Sequence, residues 1–252
     1  MADPTPQTPS PAAGGSFTVH PAAENVWRIE QSGPIDVGVN AYLVAGRERA
    51  VLIDTGFGGG DLAGCVRGIA DLPLAVVNTH FHEDHAGGNP QFPAIHIHRL
   101  DLEAARPLSA GCELVPIAEG LILDLGGRKL EVIEAPGHTR GSIVLLDSAA
   151  SLLFAGDNNN PIVWLFLAEC LPLEAYLRNL ERLEGRSGEF ETVLPGHGAP
   201  LDKAFFREQM TCAQMIIGGE CQGEKYDSLA GTGILCKYKR AGIAFDPENI
   251  FL

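Results

Sequence analysis

The chain has no apolar run approaching the roughly 18–20 residues of a membrane-crossing helix, so no helical span is expected. Basic residues are scarce, 18 Lys plus Arg against 32 Asp plus Glu, for a net charge of −14. Nucleic acids and anionic membrane surfaces are drawn to Lys/Arg patches, so neither is an expected partner. The one basic cluster, Lys237-Tyr238-Lys239-Arg240, reads as a hairpin tip, and the acidic balance reads as solubility. Cys-x-x-Cys spacing is missing: Cys65, Cys112, Cys170, Cys212, Cys221 and Cys236 are scattered, and all six are expected as reduced thiols, mainly buried. The glycine-rich stretch Gly56-Phe57-Gly58-Gly59-Gly60 lacks the Lys-Ser/Thr of a P-loop and the spacing of a dinucleotide fingerprint, so it is not read as a phosphate cradle. The first residues show no basic region followed by an apolar core, so no secretory signal is expected. Together these absences point to a soluble cytoplasmic protein.

What the chain does contain is 30 glycines and 45% hydrophobic residues in 252, the balance of a globular α/β protein with many tight loops. Residues 1–16, rich in Pro, Ala, Ser and Gly, are expected to be a disordered tail, and 17–252 a single domain. Short strands are predicted at 17–20, 26–30, 40–44, 50–53, 121–123, 129–134, 143–147 and 152–155. Helices are predicted at about 62–71, 100–106 and 203–217, with Leu173, Tyr176, Leu177, Leu180 and Leu183 recurring at helical spacing as a core-packing stripe.

The chemistry is concentrated after the predicted strand 74–77. There Thr79-His80-Phe81-His82-Glu83-Asp84-His85 offers four possible metal ligands in six positions: His80, His82, Asp84 and His85. Neutral imidazoles with a carboxylate suit zinc or another borderline divalent ion. On a turn, His80 and His82 project to one side and Asp84 and His85 to the other, an arrangement that suits two adjacent metals better than one. Further strand ends deliver His138 (in Pro136-Gly137-His138), Asp157 (in Gly156-Asp157) and His197 (in Gly196-His197) through glycine turns. Asp54 ends an earlier strand and is expected to orient a ligand histidine from behind. His96 and His98 form a His-x-His pair without a third partner and are read as structural, with His98 the one nearer the cleft.

The ordered set His80-x-His82-x-Asp84-His85, His138, Asp157, His197, preceded by Asp54, resembles the metallo-β-lactamase superfamily over about residues 17–200. The resemblance implies an αββα sandwich of two mixed sheets flanked by helices, with the metals in a cleft at one sheet edge. It further implies two zinc ions (manganese or iron(II) being possible): His80, His82 and His138 on the first, Asp84, His85 and His197 on the second, and Asp157 bridging. A bridged pair of ions yields a hydroxide nucleophile near neutral pH, with Asp84 orienting it and shuttling its proton. The implied activity is hydrolysis of a small ester, lactone, thioester or amide. True zinc β-lactamases carry cysteine or serine where Asp157 stands, so β-lactam cleavage is at best a side activity. Persulfide dioxygenases, which share the fold but use one iron, are the alternative.

Substrate contacts are expected from the insert after Asp157. Ile162-Val163-Trp164-Leu165-Phe166-Leu167 is read either as core or as an apolar wall of the cleft, which puts Trp164 and Phe166 forward. A hairpin-like pair at about 234–238 and 242–245 follows. Lys225 and Tyr226 precede it and are candidates to lean over the cleft and grip an acidic group or an oxyanion. Ser142, beside a ligand loop, is read as a structural hydroxyl.

Overall fold

The computed structural model describes residues 17–33 and 38–252; the tail expected at 1–16 lies outside them. A first sheet of seven strands runs in chain order: β1 (Phe17–Ala23), β2 (Val26–Ser32), β3 (Gly38–Ala45), β4 (Ala50–Ile53), β5 (Leu74–Val77), β6 (Ala94–His98) and β7 (Glu113–Ile117). It is antiparallel from β1 to β4 and parallel from β4 to β7, because helical crossovers enter only after β4. The second sheet is built from β8 (Ile122–Asp124), β9 (Lys129–Glu134), β10 (Ile143–Asp147) and β11 (Leu152–Gly156). After β12 (Ile162–Leu165) leaves for a third sheet, β13 (Thr192–Pro195) and β14 (Leu201–Asp202) complete the second in the order β14-β13-β11-β10-β9-β8. The helices among the described residues are α1 (Leu62–Ile69), the one-turn α2 (Glu83–Ala86) and α3 (Leu102–Ala105), α4 (Leu173–Glu184) and α5 (Ala204–Ile217).

Strand alternation sets the layers. On β3, Tyr42 and Val44 face Leu145 and Phe154 of the second sheet, while Ala41 and Leu43 pack with Leu62 and Val66 of α1. On β10, Ile143 and Leu145 join the inter-sheet core, and Val144 and Leu146 pack beneath Tyr176 and Leu180 of α4 and Phe205 of α5. The order helix, sheet, sheet, helix is the expected αββα sandwich. The predicted stripe on α4 is indeed core: Leu173, Tyr176, Leu180 and Leu183 are buried and Leu177 partly so.

Two features depart from the sequence expectations. The region after Asp157 forms a third, four-stranded sheet, in the order β12-β17-β16-β15, with β15 (Glu224–Ser228), β16 (Gly231–Tyr238) and β17 (Ala241–Phe245). The predicted hairpin is β16 and β17, but β12 joins it in parallel across about 80 intervening residues, a pairing no local pattern announces. The second is a correction. Cys221 and Cys236 form a disulfide with their Cα atoms 6.2 Å apart, tying the segment after α5 to β16. The expectation of six reduced thiols therefore holds for Cys65, Cys112, Cys170 and Cys212 alone. Spacing rules detect metal-type and redox-type pairs, whereas this pair meets because the β15–β16 hairpin, with Glu224 opposite Leu235, folds the segment after α5 back beside β16.

Candidate metal centre

The chemistry-bearing strand ends meet on one edge of the sandwich. Three hydrogen bonds draw the two sheets together there: Tyr42 Oη donates to Pro195 O (2.8 Å), Asn40 Nδ2 to Pro195 O (3.0 Å), and Asn40 N to Gly196 O (2.8 Å). They set the turn that carries His197 against the end of β3. The loop leaving β5 is braced from behind by the glycine-rich stretch, through Thr55 N to His85 O (2.8 Å) and Gly87 N to Gly56 O (3.0 Å). That stretch is thus a support of the histidine loop.

Each of five histidines has one ring nitrogen held by an outer partner and the other turned to a common centre. His80 Nδ1 lies 3.0 Å from Thr79 Oγ1, His138 Nδ1 lies 2.7 Å from Trp164 O, and His82 Nε2 lies 2.7 Å from Glu169 Oε1. His85 Nδ1 lies 2.8 Å from Asp54 Oδ2, and His197 Nδ1 lies 2.7 Å from Gly38 O. The inward atoms form a three-histidine group, in which His82 Nδ1 is 3.1 Å from His80 Nε2 and 2.9 Å from His138 Nε2. Three imidazole nitrogens this close approach the roughly 3.3 Å between tetrahedral ligands whose bonds to zinc are about 2.0–2.1 Å. A second, mixed group holds Asp84, His85 and His197, with Asp84 Oδ2 3.1 Å from His197 Nε2. Asp157 stands between the groups: Oδ1 is 3.1 Å from His85 Nε2, and Oδ2 is 3.6 Å from His138 Nε2 and 3.5 Å from His197 Nε2.

The donor set fits metal ions. His85 Nε2 and Asp157 Oδ1 are buried polar atoms without a hydrogen-bond partner, an arrangement that is costly unless something else satisfies them. Gly156 and Gly196 make room. Gly156 has φ of +50°, and a Cβ there would meet Thr79 Oγ1 at 2.5 Å; a Cβ on Gly196 would collide with Asp157 and meet the His85 ring at 2.7 Å. Asp54 also has a positive φ, 64°, uncommon without glycine, and its carboxylate accepts Thr79 N (2.7 Å), Thr79 Oγ1 (2.8 Å) and His85.

Electrostatics divides the groups. Burial, then the neighbouring histidines, hold His80 well below its ordinary pKa, and burial with His82 brings His138 down to about 4. Both rings are unprotonated at neutral pH and present lone pairs. In the mixed group burial opposes charge but loses: Asp157 and Asp84 raise His197 to about 10, and Asp84, Asp157 and Asp54 hold His85 well above its ordinary value. Burial pushes Asp84 up, yet His85 and His197 bring its carboxyl down to about 2. A metal entering the mixed group must displace a proton from His197, so its affinity there rises with pH, about tenfold per unit for each proton released. His80 and His138 are already unprotonated at neutral pH and add no such slope. Competitive titration at about pH 6.5 and about pH 8.5 checks this: the weaker-bound metal is expected to gain affinity and the tighter one to change far less. Equal slopes would contradict it.

Other expectations resolve as follows. His98 does not approach the cleft: its Nε2 lies 2.9 Å from Glu134 Oε1, and His96 Nδ1 lies 3.0 Å from Val76 O. His96 is thus held within its own sheet by β5, and His98 by the end of β9 on the facing sheet, so both are structural. Ser142 is structural, accepting from Thr139 N at 3.0 Å. Lys225 is exposed and paired with Asp227 at 3.0 Å rather than poised over the cleft. Tyr226 Oη instead accepts from Trp164 Nε1 (3.0 Å), and Trp164, Phe166 and Tyr226 cluster with ring centroids 5.3–6.1 Å apart. Alternation on β12 sends Val163 and Leu165 to the core and Trp164 outward, so the core reading of that segment holds for one face of the strand. Glu169 was missed. It lies 87 residues beyond His82, and no spacing rule links an acidic residue in that loop to the histidine it touches.

Fold and site together define a metal-dependent hydrolase built on paired ligand groups at a sheet edge. Residues 34–197 match the metallo-beta-lactamase superfamily, and the chain belongs to it. The acyl-coenzyme A thioesterase MBLAC2 of Gallus gallus is 32% identical over 199 residues, 63% of this chain and 72% of that protein. The atrochrysone carboxyl ACP thioesterase AacuM of Aspergillus aculeatus is 27% identical over 168 residues, 65% of this chain and 52% of that one. Among solved structures, a metallo-beta-lactamase from Pontibacter korlensis superposes with a TM-score of 0.68 at 25% identity, covering 79% of this chain and 99% of that one. No helix among the described residues is long and apolar enough to cross a membrane.

Proposed function

We propose that the chain hydrolyses a small acyl thioester to a carboxylic acid and a thiol. In this reading it uses two zinc ions, one on His80, His82 and His138 and one on Asp84, His85 and His197, with Asp157 shared. The observation that carries the reading is the placement of Asp157 between two complete donor groups. Such a pair of ions supplies Lewis-acid polarisation of the carbonyl and a water acidified to near neutrality. Asp84 is ionised at neutral pH and a quarter exposed toward the cleft, so it can take the attacking water's proton and hand it to the departing sulfur. Relatives named as thioesterases favour the thioester among the ester-like substrates.

The Trp164, Phe166 and Tyr226 rings serve the acyl group as an apolar wall, fixed to the centre because the Trp164 carbonyl holds His138. The acidic chain suits a small-molecule thioester better than a polyanionic carrier. The cytoplasmic expectation drew on six free thiols as well as on the lack of a secretory signal and of a membrane-crossing run, and the Cys221–Cys236 bridge removes the first of these grounds.

Hydrolysis of a panel of acyl thioesters, lactones and β-lactams, followed by carboxylic acid release for all three, tests the assignment: thioesters are expected to turn over fastest, and a lactone preference would refute it. Within the panel, Trp164→Ala is expected to raise KM for a long-chain thioester by about tenfold, the worth of roughly two buried methylenes, with kcat little changed. An unchanged KM would remove the wall.

A further inference from the structure

The segment from Trp164 to Leu171, which follows β12, wraps the three-histidine group. Trp164 O accepts from His138 Nδ1 at 2.7 Å, and Cys170 Sγ donates to His138 O at 3.1 Å. Leu171 N donates to Gly137 O at 2.8 Å, and Asn249 Nδ2 donates to Cys170 O at 3.2 Å. A segment tied at both ends presents Glu169, whose Oε1 lies 2.7 Å from His82 Nε2.

We propose that Glu169 is a positioning residue of the three-histidine group, fixing His82 with its proton on Nε2 and its Nδ1 lone pair aimed at His80 and His138. The argument is one of donor and acceptor capacity. A neutral imidazole carries a single N–H, and an ionised carboxylate only accepts, so the proton must lie on the nitrogen that faces Glu169. The remaining nitrogen, 2.9–3.1 Å from two other imidazole nitrogens, is then free to ligate. His80 and His138 lean on a hydroxyl and a carbonyl, so among the described residues Glu169 is the one carboxylate in direct contact with the outer nitrogen of a ring in this group, as Asp54 is in the mixed group. A carboxylate partner orients the ring and raises the basicity of its ligating nitrogen, and losing such a partner typically costs about 10–100-fold in metal affinity. The same segment carries Trp164 and Phe166, so substrate seated on those rings and the geometry of His82 share one support.

This rests on the metal-binding reading above, and the test separates the two. Chelator-treated wild type, Glu169→Ala and Glu169→Gln are titrated with Co(II), read by its visible absorption, and the His82 ring tautomer is followed by nitrogen-15 NMR. Wild type is expected to bind, and Glu169→Ala to lose about 10–100-fold at the three-histidine group alone, with mixed His82 tautomers. Glu169→Gln keeps an acceptor oxygen and is expected to recover most of the affinity. Unchanged affinity and tautomer in Glu169→Ala would overturn the proposal, as would an equal loss at both groups, which marks general disruption. If wild type takes up no metal, the metal reading fails first.

Discussion

Asp84→Asn is expected to cut thioester turnover by on the order of 10³-fold while leaving KM within a few-fold. The amide keeps the volume of the carboxylate and one acceptor oxygen, so binding and folding change little. What it loses is the base. Asp84 is held at a pKa of about 2 by His85 and His197, hence ionised and ready to accept a proton throughout the neutral range. The amide cannot carry a proton from water to sulfur. It also weakens the contact to His197, 3.1 Å from Asp84 Oδ2, so some loss of the mixed-group metal is expected alongside. Initial rates measured at saturating metal separate the two effects. A variant that keeps more than about a tenth of wild-type kcat under those conditions would remove Asp84 from the proton-transfer role.

Asp54→Ala is expected to destabilise the metal-free protein by about 3–5 kcal/mol near neutral pH. The side chain is 2% exposed and accepts three donors: Thr79 N, Thr79 Oγ1 and His85 Nδ1. Truncation strands all three in a site closed to water, and it leaves a histidine that carries a proton in the metal-free protein without one of its three carboxylates. The backbone at this position has φ of 64°, a region that Asp tolerates better than Ala because its short polar side chain can hydrogen-bond locally. Denaturant midpoints of metal-free wild type and variant measure the loss directly. A difference under about 1 kcal/mol would show that the strand-ending carboxylate is not holding the histidine loop.

Much of the site could be read from the sequence because its residues announce themselves locally. His80, His82, Asp84 and His85 are crowded into six positions, and His138, Asp157 and His197 each follow a glycine turn at a strand end. The two-sheet sandwich was implied by the family resemblance that these residues carry, and the structure shows its physical basis in β3 and β10, which are buried on both faces. What escaped depends on long-range return of the chain. Strand β12 pairs in parallel with β17, and Glu169 meets His82 across 87 residues, while Cys221 meets Cys236 only once the β15–β16 hairpin is in register. None of these leaves a periodicity or a spacing behind. The His96-x-His98 pair, a local signal read as structural for want of a third partner, is held by Val76 O and by Glu134 on the facing sheet.

The central claim is a two-metal thioester hydrolase, and it is tested most directly by following acyl-thioester cleavage while metal is returned to chelator-treated protein. The account predicts that the rate climbs with zinc until two equivalents per chain are bound and then levels. A rate that reaches its plateau with one iron, or a fully zinc-loaded protein that releases no thiol, would contradict it.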